Sequence, residues 1–275
     1  MAGLSIPQPY DFARSTDRFR AYGRDLATAA VDGALYRVVD GTEVRITPTP
    51  GGVFVDPVND AVLEHVSFLL GLPFDVAGFW AWAQDEPVLR ALASPLAGFR
   101  PPLQPDPWEA VVTSVTAQQV SLHSAFAVRA RLVERLGTPY THAWAFPPRE
   151  RVADASDADL VAVGFSRRKA EYVLGLARAE LDLAALRSLP DDQVVEVLAA
   201  QRGLGRWSAD WFLARALGRP NAWPAGDLGL RKAVSHFYGE GGMLEEAEVR
   251  ELGERFGPWR NLAAHVLLAG LRVSG

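Results

Sequence analysis

The sequence predicts a mainly α-helical protein with a small N-terminal α+β unit that contains an antiparallel sheet. Residues 35–55 hold alternating apolar and polar runs separated by turn residues, the pattern of short strands. From about residue 79 onward, apolar residues recur with helical spacing, and short connectors rich in Gly, Pro, Asp and Ser separate the runs. We therefore predict two parts, residues 1–78 and residues 79–275.

The N-terminal unit is predicted from a hairpin signal and the elements that follow it. The alternating runs Leu35–Val39 and Thr42–Thr47 are joined by an Asp-Gly dipeptide, which is typical of a tight hairpin. A turn rich in glycine then precedes a short strand at Val53–Val55. We expect Asp60 to cap a helix that runs to Leu70.

The helical part contains a marked helix start. Asp106 precedes Pro107, and Glu109 follows three residues after Asp106, which predicts an N-cap, a proline in the first turn and a capping-box partner. Apolar residues then recur at i, i+3, i+4 and i+7, so one face of this helix should lie in the core. Periodicity and end signals predict further helices at Leu122–Leu136, Lys169–Glu180, Asp192–Ala200, Trp207–Leu217, Leu228–Tyr238, Glu245–Phe256 and Trp259–Leu271.

The composition is that of a globular protein, with 49% hydrophobic and 22% charged residues. The chain has no cysteine, which excludes disulfides, thiolate zinc sites and cysteine-bound iron–sulfur clusters. Its first residues do not have the basic and apolar regions of a signal peptide, and no apolar run suits a membrane span. We therefore expect a cytoplasmic protein.

The charge is unevenly distributed along the chain. A net charge of −5 and a pI of about 5.6 argue against a generic nucleic-acid binder, which is usually basic. Residues 201–235, however, contain six basic and two acidic side chains, a net charge of +4 that leaves −9 for the rest. A basic patch on an acidic body is sufficient to hold phosphates at one face.

A glycine-rich turn between two predicted helices is a candidate anion site. The segment 198–209 reads LAAQRGLGRWSA, so one helix ends, a Gly-Leu-Gly turn follows and another helix begins. The first amides of the second helix have no partner within the helix and can therefore bind an anion such as a DNA phosphate. A plain helix–helix connection that ends in a glycine C-cap is the alternative interpretation.

The helix after this turn is apolar on two sides. Trp207 and Trp211 are four residues apart and lie opposite the face that contains Phe212. Such a helix is either fully buried or lines a cavity with one side. The two tryptophans are thus either core residues or walls of a pocket, where their rings can stack on an extruded base.

Asp227 stands 18 residues after Ala209, within the segment PAGDLGLR. An aspartate before a helical run is an ordinary N-cap. A carboxylate in that position is also held in place and favoured in its charged form by the helix dipole. Asp227 is therefore suited to a site where positive charge develops.

Together these residues resemble the helix-hairpin-helix–Gly/Pro–Asp DNA glycosylases, and specifically the DNA-3-methyladenine glycosylase II (AlkA) group. The similar segments are residues 106–110 (DPWEA), 117–121 (AQQVS), 164–172 (GFSRRKAEY), 203–209 with the stretch before Asp227, and 258–260 (PWR). The resemblance covers roughly residues 72–271 and implies the helix-hairpin-helix glycosylase fold with two helical subdomains. The N-terminal unit resembles the extra domain of the AlkA group.

The resemblance also implies roles for individual residues. Asp227 would be the catalytic aspartate, and Trp207 and Trp211 would face the base pocket. Gln119 would fill the gap that the extruded nucleotide leaves in the duplex. The hairpin would contact DNA through four residues, Gly203, Gly205, Arg206 and Ser208. It would also bind a structural monovalent cation through the carbonyl groups of Ala199, Gln201 and Leu204.

The type of residue at the position of Trp207 distinguishes two kinds of enzyme within the family. Members that also cleave the DNA strand carry at this position a lysine that forms a Schiff base, whereas tryptophan has no nucleophilic nitrogen. The resemblance therefore implies a monofunctional enzyme that uses water and has no lyase activity. We expect it to be a monomer that requires no cofactor for catalysis. Its expected substrate is double-stranded DNA with alkylated purines such as 3-methyladenine, because no second carboxyl group is evident to protonate the leaving base.

Two other functions stay open from the sequence. One is a glycosylase for a different lesion, such as hypoxanthine, an etheno adduct or an oxidised purine, and the other is a non-catalytic module that binds damaged DNA. The chain departs from the family pattern at Arg202, where proline is usual, at Gln119, where one branch has leucine, and at Leu268, where another pocket aromatic is expected. A less aromatic pocket would change which lesions are accepted.

Overall fold

The computed structural model describes residues 2–274 and begins with an antiparallel sheet. Its strands are β1 (Ala2–Ser5), β2 (Thr28–Val31), β3 (Ala34–Val39), β4 (Thr42–Thr49) and β5 (Gly52–Asp56). They are arranged in the order β1-β5-β4-β3-β2. The predicted hairpin is confirmed, since Val39 pairs with Thr42 and the two turn residues, Asp40 and Gly41, have positive φ angles of 46° and 73°.

Helices make up most of the remaining chain. They are α1 (Phe12–Ser15), α2 (Arg18–Ala21), α3 (Asp60–Leu69), α4 (Val76–Trp82), α5 (Pro87–Ala93), α6 (Pro107–Ala117), α7 (Leu122–Leu136), α8 (Arg149–Ala153), α9 (Asp157–Ala162), α10 (Arg167–Arg178), α11 (Asp191–Ala199), α12 (Arg206–Arg215), α13 (Leu228–Tyr238), α14 (Glu246–Gly253) and α15 (Arg260–Ser274). A short strand pair, β6 (Thr138–Pro139) and β7 (Trp144–Ala145), follows α7. No helix within residues 2–274 is long and apolar enough to cross a membrane.

The bounds of α7 and α13 are those predicted, and the other predicted helices are shifted or shortened at their ends. The largest differences are three residues at the C-terminal ends of two helices: α14 ends at Gly253 because a 3₁₀ turn, Glu254–Trp259, follows it, and α15 continues to Ser274. The shortest helices, among them α1, α2, α8 and α9, were not predicted, because a helix of four to six residues contains too little periodicity to be recognised.

Two capping predictions are wrong. Asn59, rather than Asp60, caps α3, because its Oδ1 accepts the amide of Val62 at 2.8 Å. Asp106 caps α6 as expected, but Glu109 does not complete a capping box. Its carboxylate is fully buried and is held by arginines instead.

The described residues form three large buried clusters. The first lies between the sheet and α3 and includes Leu35, Ile46 and Val66. The second combines residues before α6 with residues after Ala222, so that Phe79 and Phe256 share one core. The third consists of the intervening helices α6 to α12. The helical part therefore has two subdomains, as the resemblance implies.

The chain passes from the first core to the second within residues 68–74, since Phe68 already belongs to the second core while Leu69 and Leu70 belong to the first. Leu72 packs on the first core, whereas Phe74 is part of the second. Helix α4 runs through Gly78, so the boundary expected at that residue lies inside a helix.

A buried ion network ties the sheet to the helices. Arg37 of β3 donates to Oε2 of Glu109 at 2.6 Å, and Arg129 of α7 donates to Oε1 of the same carboxylate. Arg129 also pairs with the buried Asp25. Burial alone would raise the pKa of Glu109, but the two arginines lower it to about 2. The carboxylate is thus charged in the folded protein and balances two buried cations.

We expect Glu109→Gln to lower the free energy of unfolding by about 3–5 kcal/mol, because the change leaves buried arginine charge without its counterion. Denaturant unfolding measures the difference. Glu134→Gln is the matched control, since Glu134 is exposed on the neighbouring helix α7, and it should change stability by about 0.5 kcal/mol or less. Equal stability of the two variants would contradict this role for Glu109.

Candidate active site and nucleic-acid interface

Asp227 lies where the two helical cores meet. It is the N-cap of α13, and its Oδ1 accepts the amide of Leu230 at 2.9 Å. Its Oδ2 accepts a hydrogen bond of 3.3 Å from Nε1 of Trp207 at the start of α12. Leu230 belongs to the second core, whereas Trp207 packs against the third. The carboxylate is therefore held from both sides of the junction between the subdomains.

The two tryptophans of α12 have different surroundings. Trp207 is partly buried and contacts Asp227 through its indole N–H. Trp211 is only 9% exposed and is a member of the third core. Trp207 is thus a site residue by its geometry, and the place of Trp211 in a base pocket stays a prediction.

The two glycines of the hairpin have different surroundings and therefore different structural roles. Gly203 has a φ of +91°, and a Cβ atom on it would lie 2.1 Å from Cγ of Tyr172, so packing alone requires glycine here. Its carbonyl accepts the side-chain amide of Gln118 at 2.8 Å. Gly205 faces open space, since nothing lies within 4 Å of the position of a Cβ. No side chain caps α12 at Gly205, which leaves the first amides of this helix free to bind an anion.

The two polar residues after Gly205 differ in accessibility. The Arg206 side chain is 60% exposed and pairs with Asp210 at 2.8 Å, so it can reach a phosphate. Ser208, which we expected to contact DNA, is only 3% exposed, and its hydroxyl accepts from Gln118 Nε2 at 3.4 Å. The hydroxyl is directed into the protein, and only its backbone amide could serve the predicted contact.

Gln119 is exposed in the loop between α6 and α7 and has a positive φ of 54°. Its neighbours Val120 and Leu122 are exposed apolar residues, at 46% and 47%. The loop thus exposes a polar side chain followed by two apolar ones, and apolar side chains are common wedges between the base steps of a duplex. The insertion of Gln119 into DNA stays a prediction.

The carbonyl groups of Ala199, Gln201 and Leu204 lie at the end of α11 and in the hairpin. That of Gln201 accepts the amide of Leu204 at 3.0 Å, whereas no amide among residues 2–274 donates to the other two. Free carbonyl oxygens are suitable ligands for a hard monovalent cation, so the residues fit the predicted ion. Residues 2–274 contain no cluster of His, Asp or Glu with the geometry of a metal site.

Two residues that depart from the family pattern make defined contacts. Arg202 pairs with Glu171 at 2.7 Å, and its guanidinium lies 6.0 Å from the ring centroid of Tyr172, so it covers the ring against which Gly203 packs. Leu268 of α15 reaches within 3.3 Å of the Cβ position of Gly229, in the first turn of α13. An aliphatic side chain therefore lies beside the helix that Asp227 caps.

The structure adds cationic residues that the sequence analysis missed. Arg215 at the end of α12 is within electrostatic range of Asp227, and also of Arg18, Tyr22 and Arg272. Its position could have been inferred by continuing the stripe of Trp207 and Trp211 by one further turn. The positions of Arg18 and Arg272 could not have been inferred in this way, because the two residues come from opposite ends of the chain.

We expect the two hairpin glycines to respond differently to alanine. Gly203→Ala should lower the free energy of unfolding by at least about 1 kcal/mol, because the methyl group collides with Tyr172 and the φ angle disfavours it. Gly205→Ala should change stability by about 0.5 kcal/mol or less but weaken duplex binding, since its methyl group occupies the side open to phosphate. Thermal unfolding and a DNA-binding titration separate the two effects. A stable Gly203→Ala variant would refute the packing argument.

Comparison with known proteins agrees with this geometry. The family model of the "HhH-GPD superfamily base excision DNA repair protein" matches residues 112–258, which include Gln119, the hairpin and Asp227. DNA-3-methyladenine glycosylase 2 of Escherichia coli is 30% identical over 252 residues, which is 88% of this chain and 83% of that protein. The DNA-3-methyladenine glycosylase of Bacillus subtilis is 27% identical over 217 residues, which is 76% of this chain and 72% of that protein.

A solved structure is similar over nearly the whole chain. The 3-methyladenine DNA-glycosylase from Archaeoglobus fulgidus superposes with a TM-score of 0.90 at 27% identity, covering 98% of this chain and 97% of that one. Its likeness extends over the N-terminal sheet as well as the helical subdomains. The chain therefore belongs to the HhH-GPD superfamily of base excision DNA repair proteins.

Proposed function

We propose that this protein is a monofunctional DNA glycosylase that acts as a monomer. It extrudes alkylated purines, 3-methyladenine among them, from double-stranded DNA and hydrolyses their N-glycosidic bond. The observation that carries the proposal is the half-buried carboxylate of Asp227, held at a helix start and bonded to Trp207 across the junction of the subdomains. The names of the relatives support the class of substrate.

The position of Asp227 suits the charge that develops in this reaction. Cleavage of an N-glycosidic bond builds positive charge on the sugar, and a nearby carboxylate stabilises that charge. The amide of Leu230 holds the carboxylate of Asp227 at the N-terminus of α13, where the helix dipole is positive. Asp227 is therefore a preorganised anion that can stabilise the sugar cation or orient the attacking water.

The neighbouring carboxylates are already paired. Asp210 is bound by Arg206 at 2.8 Å, and Glu246, which lies close to Gly226, is bound by Arg250 at 2.7 Å. Burial raises the pKa of Asp210, and its second oxygen is buried without a hydrogen bond, but neither carboxylate is hydrogen-bonded to Asp227 within residues 2–274. A base that is already cationic, such as 3-methyladenine in its nucleotide, departs without protonation by an acid, and this supports alkylated purines as substrates.

The distribution of lysines supports hydrolysis by water rather than a Schiff base. The 275-residue chain has two lysines, Lys169 and Lys232. Nζ of Lys169 donates to the carbonyl of Thr116 at 3.0 Å, and Lys232 is exposed on α13. The residue that contacts Asp227 is Trp207, and its indole nitrogen is not a nucleophile.

In this proposal the first amides of α12 and the side chain of Gln119 help to extrude the damaged base from the duplex. Opening the duplex costs a few kcal/mol and is easiest at a weakly paired damaged base. The uncapped amides of α12 hold a phosphate near the lesion, while Gln119 occupies the space that the base leaves. Both elements position the substrate without reading its sequence.

We expect Asp227→Asn to slow release of 3-methyladenine from methylated DNA by at least about 100-fold, because the anion that stabilises the sugar is lost. Binding to an abasic-site analogue should survive. Asp75→Asn is the matched control, since Asp75 caps α4 with the same carboxylate-to-amide bond, and it should release the base at the normal rate. Undiminished release by Asp227→Asn would refute the assignment, and an inert wild type that binds duplex DNA would favour the non-catalytic module.

We expect no covalent adduct when the wild-type protein acts on a lesion duplex in the presence of borohydride, because no amine adjoins Asp227. Denaturing gel electrophoresis detects any trapped protein–DNA species. An adduct with the wild type would show lyase chemistry. Its loss in Lys169→Arg or Lys232→Arg would then identify the amine responsible.

A further inference from the structure

The loop that carries Gln119 is tied to the hairpin by the side chain of the preceding residue. Gln118 is the C-cap of α6, and its Nε2 donates to the carbonyl of Gly203 at 2.8 Å. The same nitrogen lies 3.4 Å from Oγ of Ser208, in the first turn of α12. A side-chain amide has two N–H donors, and here both face the segment 203–208.

The acceptor of this hydrogen bond belongs to a fixed turn. Gly203 has a φ of +91° and packs against the ring of Tyr172. Gly205, two residues later, precedes the uncapped amides of α12 that hold a phosphate in the proposed function. Gln118 therefore connects the loop after α6 to the part of the hairpin that adjoins the phosphate.

Gln119 depends on its neighbours for its conformation. Its side chain is exposed and makes no hydrogen bond among residues 2–274, and its φ of 54° lies in the left-handed region that residues other than glycine rarely adopt. Such a conformation persists where the surrounding structure fixes it. The flanks of the loop are fixed, because Lys169 donates to the carbonyl of Thr116 at 3.0 Å and Ser121 caps α7. The hydrogen bond of Gln118 is the contact adjacent to Gln119.

This hydrogen bond is not needed to hold α6 against α12. Both helices contribute buried residues to the third core, among them Val112 and Val115 of α6 and Ala209 and Phe212 of α12. Gln118 is half-buried at the end of α6 and lies outside that cluster. What its bond fixes is the direction in which the chain leaves α6, where Gln118 has a ψ of 124° and the next residue is left-handed.

We propose that Gln118 is a positioning residue for base extrusion. Its hydrogen bond to the hairpin carbonyl holds Gln119 in the conformation that enters the duplex, so that phosphate binding at the start of α12 and filling of the gap act together. This inference rests on the proposed function and deepens it, since it names the contact that links the hairpin to the loop. Gln118 acts through Gln119 and touches neither the base nor the reacting atoms.

A brace and a positioning residue differ in one measurable respect. A brace supports the subdomain whatever side chain follows it, so its loss slows the enzyme equally with and without the side chain of Gln119. A positioning residue acts through Gln119, so its loss has no effect once that side chain is absent. A double-mutant cycle separates the two roles.

The test measures single-turnover release of 3-methyladenine from methylated duplex DNA by the wild type, Gln118→Met, Gln119→Ala and the double variant. Methionine resembles glutamine in length but has no donor, and alanine removes the inserting side chain while keeping its Cβ. We expect Gln118→Met to slow release about fivefold, the effect of losing one neutral hydrogen bond. In the Gln119→Ala background the same change should slow release by less than about twofold.

Gln84→Met is the matched control. Gln84 follows α4, is exposed, and donates its side-chain amide to the carbonyl of Trp80 at 3.0 Å. This variant loses the same kind of hydrogen bond away from the loop and the hairpin, so it should release the base at the normal rate.

Two further measurements keep the test decisive. Gln118→Met should bind undamaged duplex with an unchanged Kd, because the amides of α12 stay in place. Gln118→Glu serves in case Gln118→Met does not fold. It keeps the size of the side chain, but its carboxylate cannot donate to the carbonyl of Gly203, so it should slow release at least as much.

The inference would be overturned by effects of the Gln118 and Gln119 substitutions that multiply, by normal release in Gln119→Ala, or by normal release in both Gln118 variants. A Kd for undamaged duplex that rises as far as release falls would also overturn it, because the bond would then support only the hairpin. Each of these results leaves the proposed function intact, whereas a wild type that releases no base would refute the proposed function.

Discussion

The hydrogen bond between Trp207 and Asp227 joins the two helical subdomains at the point where the chemistry is proposed. Trp207 opens α12, which is packed in one core, and Asp227 opens α13, which is packed in the other. Two helix starts therefore meet at one carboxylate, and their free or capped amides create a local field that favours anions. The same junction places the hairpin amides, which we propose bind phosphate, and the carboxylate, which we propose stabilises the sugar, within one structural unit.

The electrostatics of the molecule are local rather than global. The chain is acidic overall, with a net charge of −5, yet Arg215, which is within electrostatic range of Asp227, is also within range of Arg18 and Arg272 from the two ends of the sequence. Because charges separated by more than about 8–10 Å are largely screened at physiological salt, the acidic body does not cancel this cationic neighbourhood. The pI is thus a poor guide to local binding, and the cluster of arginines around Arg215 is a better one.

The N-terminal unit contributes to the site as well as to the fold. Its Arg37 reaches Glu109 of α6, which anchors the sheet on the helical part. Its Tyr22 packs against His123 and Phe126 of α7 and accepts a hydrogen bond from Arg272 of α15. Tyr22, which follows α2, and Arg272 of the last helix are thereby brought together within electrostatic range of Arg215. The sheet is therefore part of the scaffold that shapes the cationic side of the site.

Local signals in the sequence determined the hairpin of the sheet, the long helices, the glycine turn and the helix start at Asp227, because each depends on residues within one or two turns of one another. Only the tertiary structure decided which side of α12 meets Asp227, why Gly203 must be glycine, that Ser208 and Glu109 turn inward, and that Arg18, Arg215 and Arg272 share one neighbourhood. Periodicity identifies a buried face but not its partner, and a partner hundreds of residues away has no signature in local sequence.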